Sequence, residues 1–94
     1  MAYRIFNVKV LKVDADNNKL IIQRKKADIG KTENLKTAFK VDPHAIITNR
    51  SGSFLKISDI KPGDRINIDF IKTRDIREAK DKSLLAKGIN IMDD

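Results

Sequence analysis

Apolar positions in this chain recur at every second residue, in short runs separated by turn formers. The cleanest run is 65–70, where Ile66, Ile68 and Phe70 hold one phase and Arg65, Asn67 and Asp69 the other. A period of two marks a strand with one buried face. Residues 3–13 begin the same way, with Phe6, Val8 and Val10 in phase. Val13 then falls out of phase, and a bulge near Leu11 and Lys12 restores it. Leu20 and Ile22 mark a second strand over 19–26. Leu35, Thr37, Phe39 and Val41 mark a third. A short fourth strand covers 45–48, cut off from the third by Asp42-Pro43-His44, since Pro43 has no ladder donor. Residues 84–92 close the chain, with Ile89 and Ile91 in phase.

The breaks carry their own chemistry. Residues 14–18 are "DADNN", and short Asp and Asn side chains bond their own backbone and tolerate left-handed φ. The first two strands therefore read as a hairpin. Residues 27–34 read as a polar loop, and 49–53 as a turn. In "SDIKPGD", Ser58 is placed as the N-cap of one helical turn. Pro62-Gly63 then turns the chain, with Gly63 supplying positive φ. Asp59 and Asp64 belong to the same turn, and Asp64 is expected to bond backbone amides there. Residues 72–83 are a highly charged connection, either a mobile loop or a marginal helix. Gly88 suits a bend or a close approach of two backbones. Six short strands with regular turns and no long amphipathic helix predict an all-β fold. A small closed or partly open OB-like barrel best disposes of edge strands in so short a chain.

Composition narrows the function more than it names it. Ninety-four residues make one domain. With four Phe, one Tyr and no Trp, the core must be aliphatic. The absence of Cys excludes disulfides and thiolate metal sites. The longest apolar stretches, such as "LII", are far too short to span a membrane. "MAYRIF" leads directly into a strand, as a natural start or as a chain trimmed of its leader.

Twenty basic residues against thirteen acids leave a net charge of +7. That balance suits an anionic polymer, an acidic protein or nucleic acid, and it equally suits plain solubility. Arg24, Lys25 and Lys26 form a run, and Lys31 follows in the loop at 27–34. Arg74, Arg77, Lys80 and Lys82 crowd the late connection. The reading is a monomeric, non-enzymatic module that presents these two basic loops to an anionic partner and needs no cofactor. A single-stranded nucleic-acid binder is the alternative, since OB-type barrels bind strands through basic grooves and exposed aromatics. Phe6, Phe39 and Phe70 fall on apolar faces as core, which leaves Tyr3 and Phe54 for stacking. A structural domain without any ligand is the third reading.

Other chemistry is weakly represented. No nucleophile elbow or Walker loop is present, and Asp59, Asp64 and Asp69 are not placed in any pocket. Asp14, Asp16 and Asn18 fit three positions of a calcium loop, but Lys19 and Lys25 stand where its Gly and closing Glu belong. His44 reads as a solvated turn residue.

The order of segments resembles a family of small bacterial β-barrel domains of unknown function. Their pattern is a first strand ending in Val-Asp, a "Phe-x-Val-x-x-x-x-x-Ile" middle and a "Ser-Leu-x-Asp-Leu-x-Pro-Gly-Asp-x-Val" turn. Val13-Asp14, Phe39 to Ile47 and Ile57 to Ile66 occupy those places. The likeness runs over about residues 6–91 and is most specific from Asp59 to Asp64. It implies an OB-like barrel, an exported protein and no established activity. Asn7 departs from it, where such domains often carry Gly, and so does the longer, more charged 27–34 segment. A related-looking periplasmic barrel of the copper-chaperone type binds copper through His, Met and Trp. Soft ions need several such donors together. This chain offers His44, Met1 and Met92, and no Trp.

Overall fold

Alternation of this kind produces long, bent strands. The computed structural model describes residues 2–28, 30–74 and 82–92. Its strands are β1 (Ala2–Asp14), β2 (Lys19–Asp28), β3 (Lys31–Asn49), β4 (Phe54–Leu55), β5 (Arg65–Arg74) and β6 (Lys82–Ile91). A single 3₁₀ turn spans Ile57–Asp59. The sheet order is β2-β1-β5-β6-β3-β4, and β2 also pairs with β3. That last pairing closes five strands into a ring and leaves β4 as a short flap on β3. Every pair is antiparallel except β3 with β6. This is the OB-like barrel that the periodicity predicts.

The inward phase fills the ring. Val10, Leu20, Ile22, Ile66 and Ile68 have no exposure at all. Phe39 meets Phe70 edge to face, with centroids 5.1 Å apart, a favoured arrangement of two ring quadrupoles. Ile60, just after the 3₁₀ turn, enters the core from the connection between β4 and β5. Among the described residues, no helix is long and apolar enough to cross a membrane.

Three bulges bend the strands. Val10 pairs with Ile22 and Lys12 with Ile21, so Leu11 is the extra residue that the odd Val10–Val13 step predicts. Ile5 pairs with Ile68 and Val8 with Ile66, which leaves Phe6 and Asn7 opposite one residue of β5. Asn7 takes φ 53° there. This second bulge corrects the expected core. The inserted residue reverses the phase, so Ile5 packs inward and Phe6 is 65% exposed. The third bulge is on β6, where Asp69 pairs with Gly88 and Phe70 with Ala86, leaving Lys87 extra.

Other expectations change as well. The expected third and fourth strands are one, β3, which runs through Asp42-Pro43-His44. Its register with β6 breaks between Val41 and Ile46, so the missing Pro43 donor falls in a gap and removes no ladder bond. The His44 N–H donates to Asp42 Oδ1 at 2.8 Å inside that gap. The expected loop at 27–34 is instead a hairpin, paired from Lys19↔Lys40 to Asp28↔Lys31. β5 and β6 take residues at both ends of the 72–83 connection, and its centre lies outside the described residues.

The Pro62-Gly63 turn forms as expected, with Gly63 at φ 96°. Asp64 Oδ2 accepts the Lys61 N–H at 2.9 Å. Gly63 N–H donates to the Val10 carbonyl, and Val10 N–H to the Asp64 carbonyl, both at 2.8 Å. Ser58 does not cap the helical turn but lies within it. Asp59 performs that role from the other side, its Oδ2 accepting the Lys56 N–H at 2.8 Å.

Candidate functional site: a groove across β3, β6, β5 and β1

Ladder register brings outward-facing residues of distant segments into rows. Thr48 pairs with Asn90, and Asn90 with Asn67. Asn67 faces the β1 bulge at Phe6 and Asn7. In the neighbouring row Ile46 pairs with Gly88, Gly88 with Asp69, and Asp69 with Arg4. On β4, Phe54 pairs with Thr48 and extends the first row.

Gly88 opens this surface. A Cβ built on it would stand 3.4 Å from Asp69 Oδ2 and 3.8 Å from the Ile46 carbonyl. Without one, the rows enclose a groove of about 470 Å³. Phe6 and Ile46 supply apolar walls, and Thr48, Asn67 and Asn90 the polar floor. The close approach of two backbones expected at Gly88 is not what the glycine meets: its nearest neighbour is the Asp69 side chain, and the space it leaves opens on the outer face.

The floor is held in one orientation. Asn90 Nδ2 donates to Thr48 Oγ1 at 3.0 Å and to the Asn49 carbonyl at 3.4 Å. Asn67 Oδ1 accepts the Asn7 N–H at 2.9 Å. A carbonyl can only accept and a backbone N–H can only donate, so both amides are fixed. What remains is a donor, Asn67 Nδ2, and an acceptor, Asn90 Oδ1. Neither bonds another group among the described residues, and both side chains are half-buried.

Charges at the rim cancel in pairs. Arg4 pairs with Asp69 through Nε and Oδ1, with Nη2 3.3 Å from Oδ2. That hydrogen bond, more than the charge alone, raises the Arg4 pKa. Lys87 pairs with Asp42. Its hydrogen bond, followed by that of the His44 N–H, holds the Asp42 carboxyl below the usual range. The Arg4 guanidinium carbon also lies 5.8 Å from the Phe6 ring centroid.

The sequence-predicted basic residues take other positions. Arg24 and Lys25 are exposed on β2, just beyond its last pair with β1 at Gln23. There they share a second hollow with Lys9 and Arg65. In the β2–β3 arm, Lys26 is in register with Glu33 and Lys31 with Asp28. Arg74 and Lys82 are in register at the far end of β5 and β6. Arg77 and Lys80 lie outside the described residues. Tyr3 stacks on Phe70 at 5.5 Å, with Lys72 Nζ 4.8 Å from its centroid. Phe54 is 79% exposed, as its stacking reading requires.

The three carboxylates Asp59, Asp64 and Asp69 are each committed to a different partner. Asp14 is spent on its own turn, where the Asn17 amide lowers its pKa. His44 is exposed on β3 and Met92 follows the end of β6. Through the Ile46↔Gly88 pair they lie six residue steps apart, roughly 20 Å. Among the described residues, no group of three His, Cys, Asp or Glu is placed to hold a metal ion.

Sequence reading passed over Arg4, Thr48, Asn67 and Asn90. The outward phase of Asn67 and Asp69 was a visible signal. The parallel pairing of β3 with β6, which assembles the groove, left none.

No family model matches the chain, and no curated protein matches it in sequence. Solved structures do match. A crystal structure of CusF with Ag(I) aligns at TM-score 0.64 and 16% identity, over 98% of this chain and 99% of that one. A tryptophan-to-alanine variant of CusF from Escherichia coli with Cu(II) aligns at 0.63 and 16%, over 98% and 92%. Apo-CusF from Escherichia coli aligns at 0.58 and 16%, over 99% and 92%. Two of these three structures carry a metal, Ag(I) in one and Cu(II) in the other. They overturn the functional reading made from charge, in which a basic module takes an anionic polymer, an acidic protein or single-stranded nucleic acid, or takes nothing. What the neighbours establish is the architecture: this chain folds as a small OB-like barrel of the CusF shape.

Proposed function

We propose that this chain is a non-enzymatic binding barrel whose ligand occupies the groove over Gly88. One observation carries the reading. Asn67 Nδ2 and Asn90 Oδ1, on residues paired across β5 and β6, present an unused donor and an unused acceptor at the groove floor. Both atoms are open to water, and a ligand that supplies one acceptor and one donor can take that water's place. Their fixed orientation means that binding requires little further ordering.

The ion seen in the CusF structures does not transfer with the fold. Copper and silver need clustered imidazole, thioether or thiolate donors. This chain has one His and no Cys, and His44 and Met92 stand roughly 20 Å apart along the sheet. Hard cations need free carboxylates, whereas Asp42 and Asp69 are neutralised by Lys87 and Arg4. The described residues do not fit a metal, so none enters the reading. The periplasmic setting of copper-chaperone-type barrels supports an exported protein.

Amide chemical-shift mapping with uncharged probes, acetamide and propan-2-ol, tests the site. Saturable shifts should gather at Thr48, Asn67, Gly88 and Asn90. Silver(I) added to the same sample should give no stoichiometric complex. Probes that collect elsewhere, or a stoichiometric silver complex, would overturn the reading.

A further inference from the structure

We infer that the ligand of this groove is a neutral polyhydroxylated molecule, a short uncharged oligosaccharide. The inference rests on the groove being the binding site and adds the class of ligand.

Charge decides first. Both cations at the rim, Arg4 and Lys87, are already paired with carboxylates, and both of those carboxylates with cations. An ionic ligand would have to break one of these pairs. Phosphate recognition in particular depends on cations that are free to replace counterions. The groove suits a ligand with no net charge.

Hydrogen bonding decides next. The floor offers one donor and one acceptor on directly paired residues, Asn67 and Asn90. A hydroxyl is both donor and acceptor, with a freely turning O–H. Two adjacent hydroxyls on a sugar ring satisfy such a mixed pair at once. An extended peptide fits less well. Laid over a sheet face it cannot form a ladder, and most of its backbone groups would find no partner.

The walls decide last. Phe6, 65% exposed, and Ile46, 60% exposed, stand on either side of the Thr48, Asn67 and Asn90 floor. The face of a sugar ring is a patch of C–H groups that packs on an aromatic ring, while its rim of hydroxyls stays polar. A sugar ring packed on Phe6 sets the next ring over the amides and against Ile46. The bulge at Asn7 is what turns Phe6 out to meet the sugar.

The test uses the full chain and a panel of maltotetraose, cellotetraose and chitotetraose. Tetraglycine and a heparin tetrasaccharide serve as controls. At least one neutral tetrasaccharide should shift the amides of Thr48, Asn67, Gly88 and Asn90 saturably. Phe6→Ala should weaken that binding tenfold or more while melting at the wild-type temperature, and Gly88→Leu should abolish it by filling the groove. If acetamide maps to the groove but no neutral tetrasaccharide saturates it, the saccharide inference fails and the site stands. If acetamide does not map there, the site itself fails. Saturation by tetraglycine or the heparin fragment alone, or unchanged affinity in Phe6→Ala, also overturns the inference.

Discussion

Gly88 stands directly opposite Asp69 in the β5–β6 ladder, and a Cβ on Gly88 would meet the Asp69 carboxylate oxygen at 3.4 Å. That is ordinary contact with the far end of a side chain, not a clash with backbone. Glycine inside a strand costs about 0.5–1 kcal/mol relative to alanine. Gly88→Ala should therefore melt at or slightly above the wild-type temperature. A fall of several degrees would mean that the groove floor is more tightly fitted than this geometry allows.

Two phenylalanines that share the same alternating pattern should respond in opposite ways. Phe39 is 1% exposed and packs on Phe70, whereas Phe6 is 65% exposed. Truncating a buried Phe costs about 3–5 kcal/mol, and an exposed change usually stays within about 0.5 kcal/mol. Urea unfolding should separate Phe39→Ala from Phe6→Ala by that margin. Equal losses would return Phe6 to the core and remove the bulge.

That contrast marks how far the sequence was legible. The bulge at Leu11 can be read because Val10 to Val13 is an odd step between two apolar residues. The bulge at Asn7 cannot be read so easily, because Ile5 and Phe6 are both apolar and either phase satisfies the pattern. Its one signal is Asn7 itself, a residue that tolerates positive φ. Pro43 misled in the opposite direction, since a strand can pass a proline where the ladder is already broken. The groove was hidden for a different reason. Its rows depend on β3 lying parallel to β6, a pairing between residues about forty positions apart, and local periodicity carries no trace of it. Net charge was legible and pointed the wrong way, because it counts bases without placing them, and the two at the groove rim, Arg4 and Lys87, are paired with carboxylates.

The Pro62-Gly63 turn provides a sharper test of a feature that was legible. Gly63 sits at φ 96°, with open space around its Cα. A substitution there meets backbone strain and no steric contact. Holding a non-glycine residue in a sparsely populated region costs about 1–3 kcal/mol, and a β-branched one resists positive φ most. Each kcal/mol corresponds to about 4–8 °C in a domain of this size. Gly63→Val should lower the melting temperature accordingly, and Gly63→Ala less. An unchanged Gly63→Val melting curve would contradict the turn that ties Asp64 to β1.

Acid should reveal the pairing of Lys87 with Asp42. The Lys87 hydrogen bond, then that of the His44 N–H, holds the folded Asp42 pKa below its ordinary value. An unfolded Asp titrates near ~3.9. A group depressed on folding adds stability that is full above its unfolded pKa and is lost as pH falls through the folded one. The contribution should therefore persist at neutral pH and fade below the ordinary carboxylate range. Lys87 is half exposed to solvent, which keeps the effect small, and the titration is a better readout than the melting curve. Side-chain carboxyl NMR should find Asp42 titrating below the ordinary value of an unfolded Asp. In Lys87→Gln the Asp42 midpoint should move upward, but not fully, because the His44 N–H remains. An Asp42 midpoint that ignores Lys87→Gln would show that the bulged lysine is not its partner in solution, and the neutral rim of the groove would lose one of its two pairs.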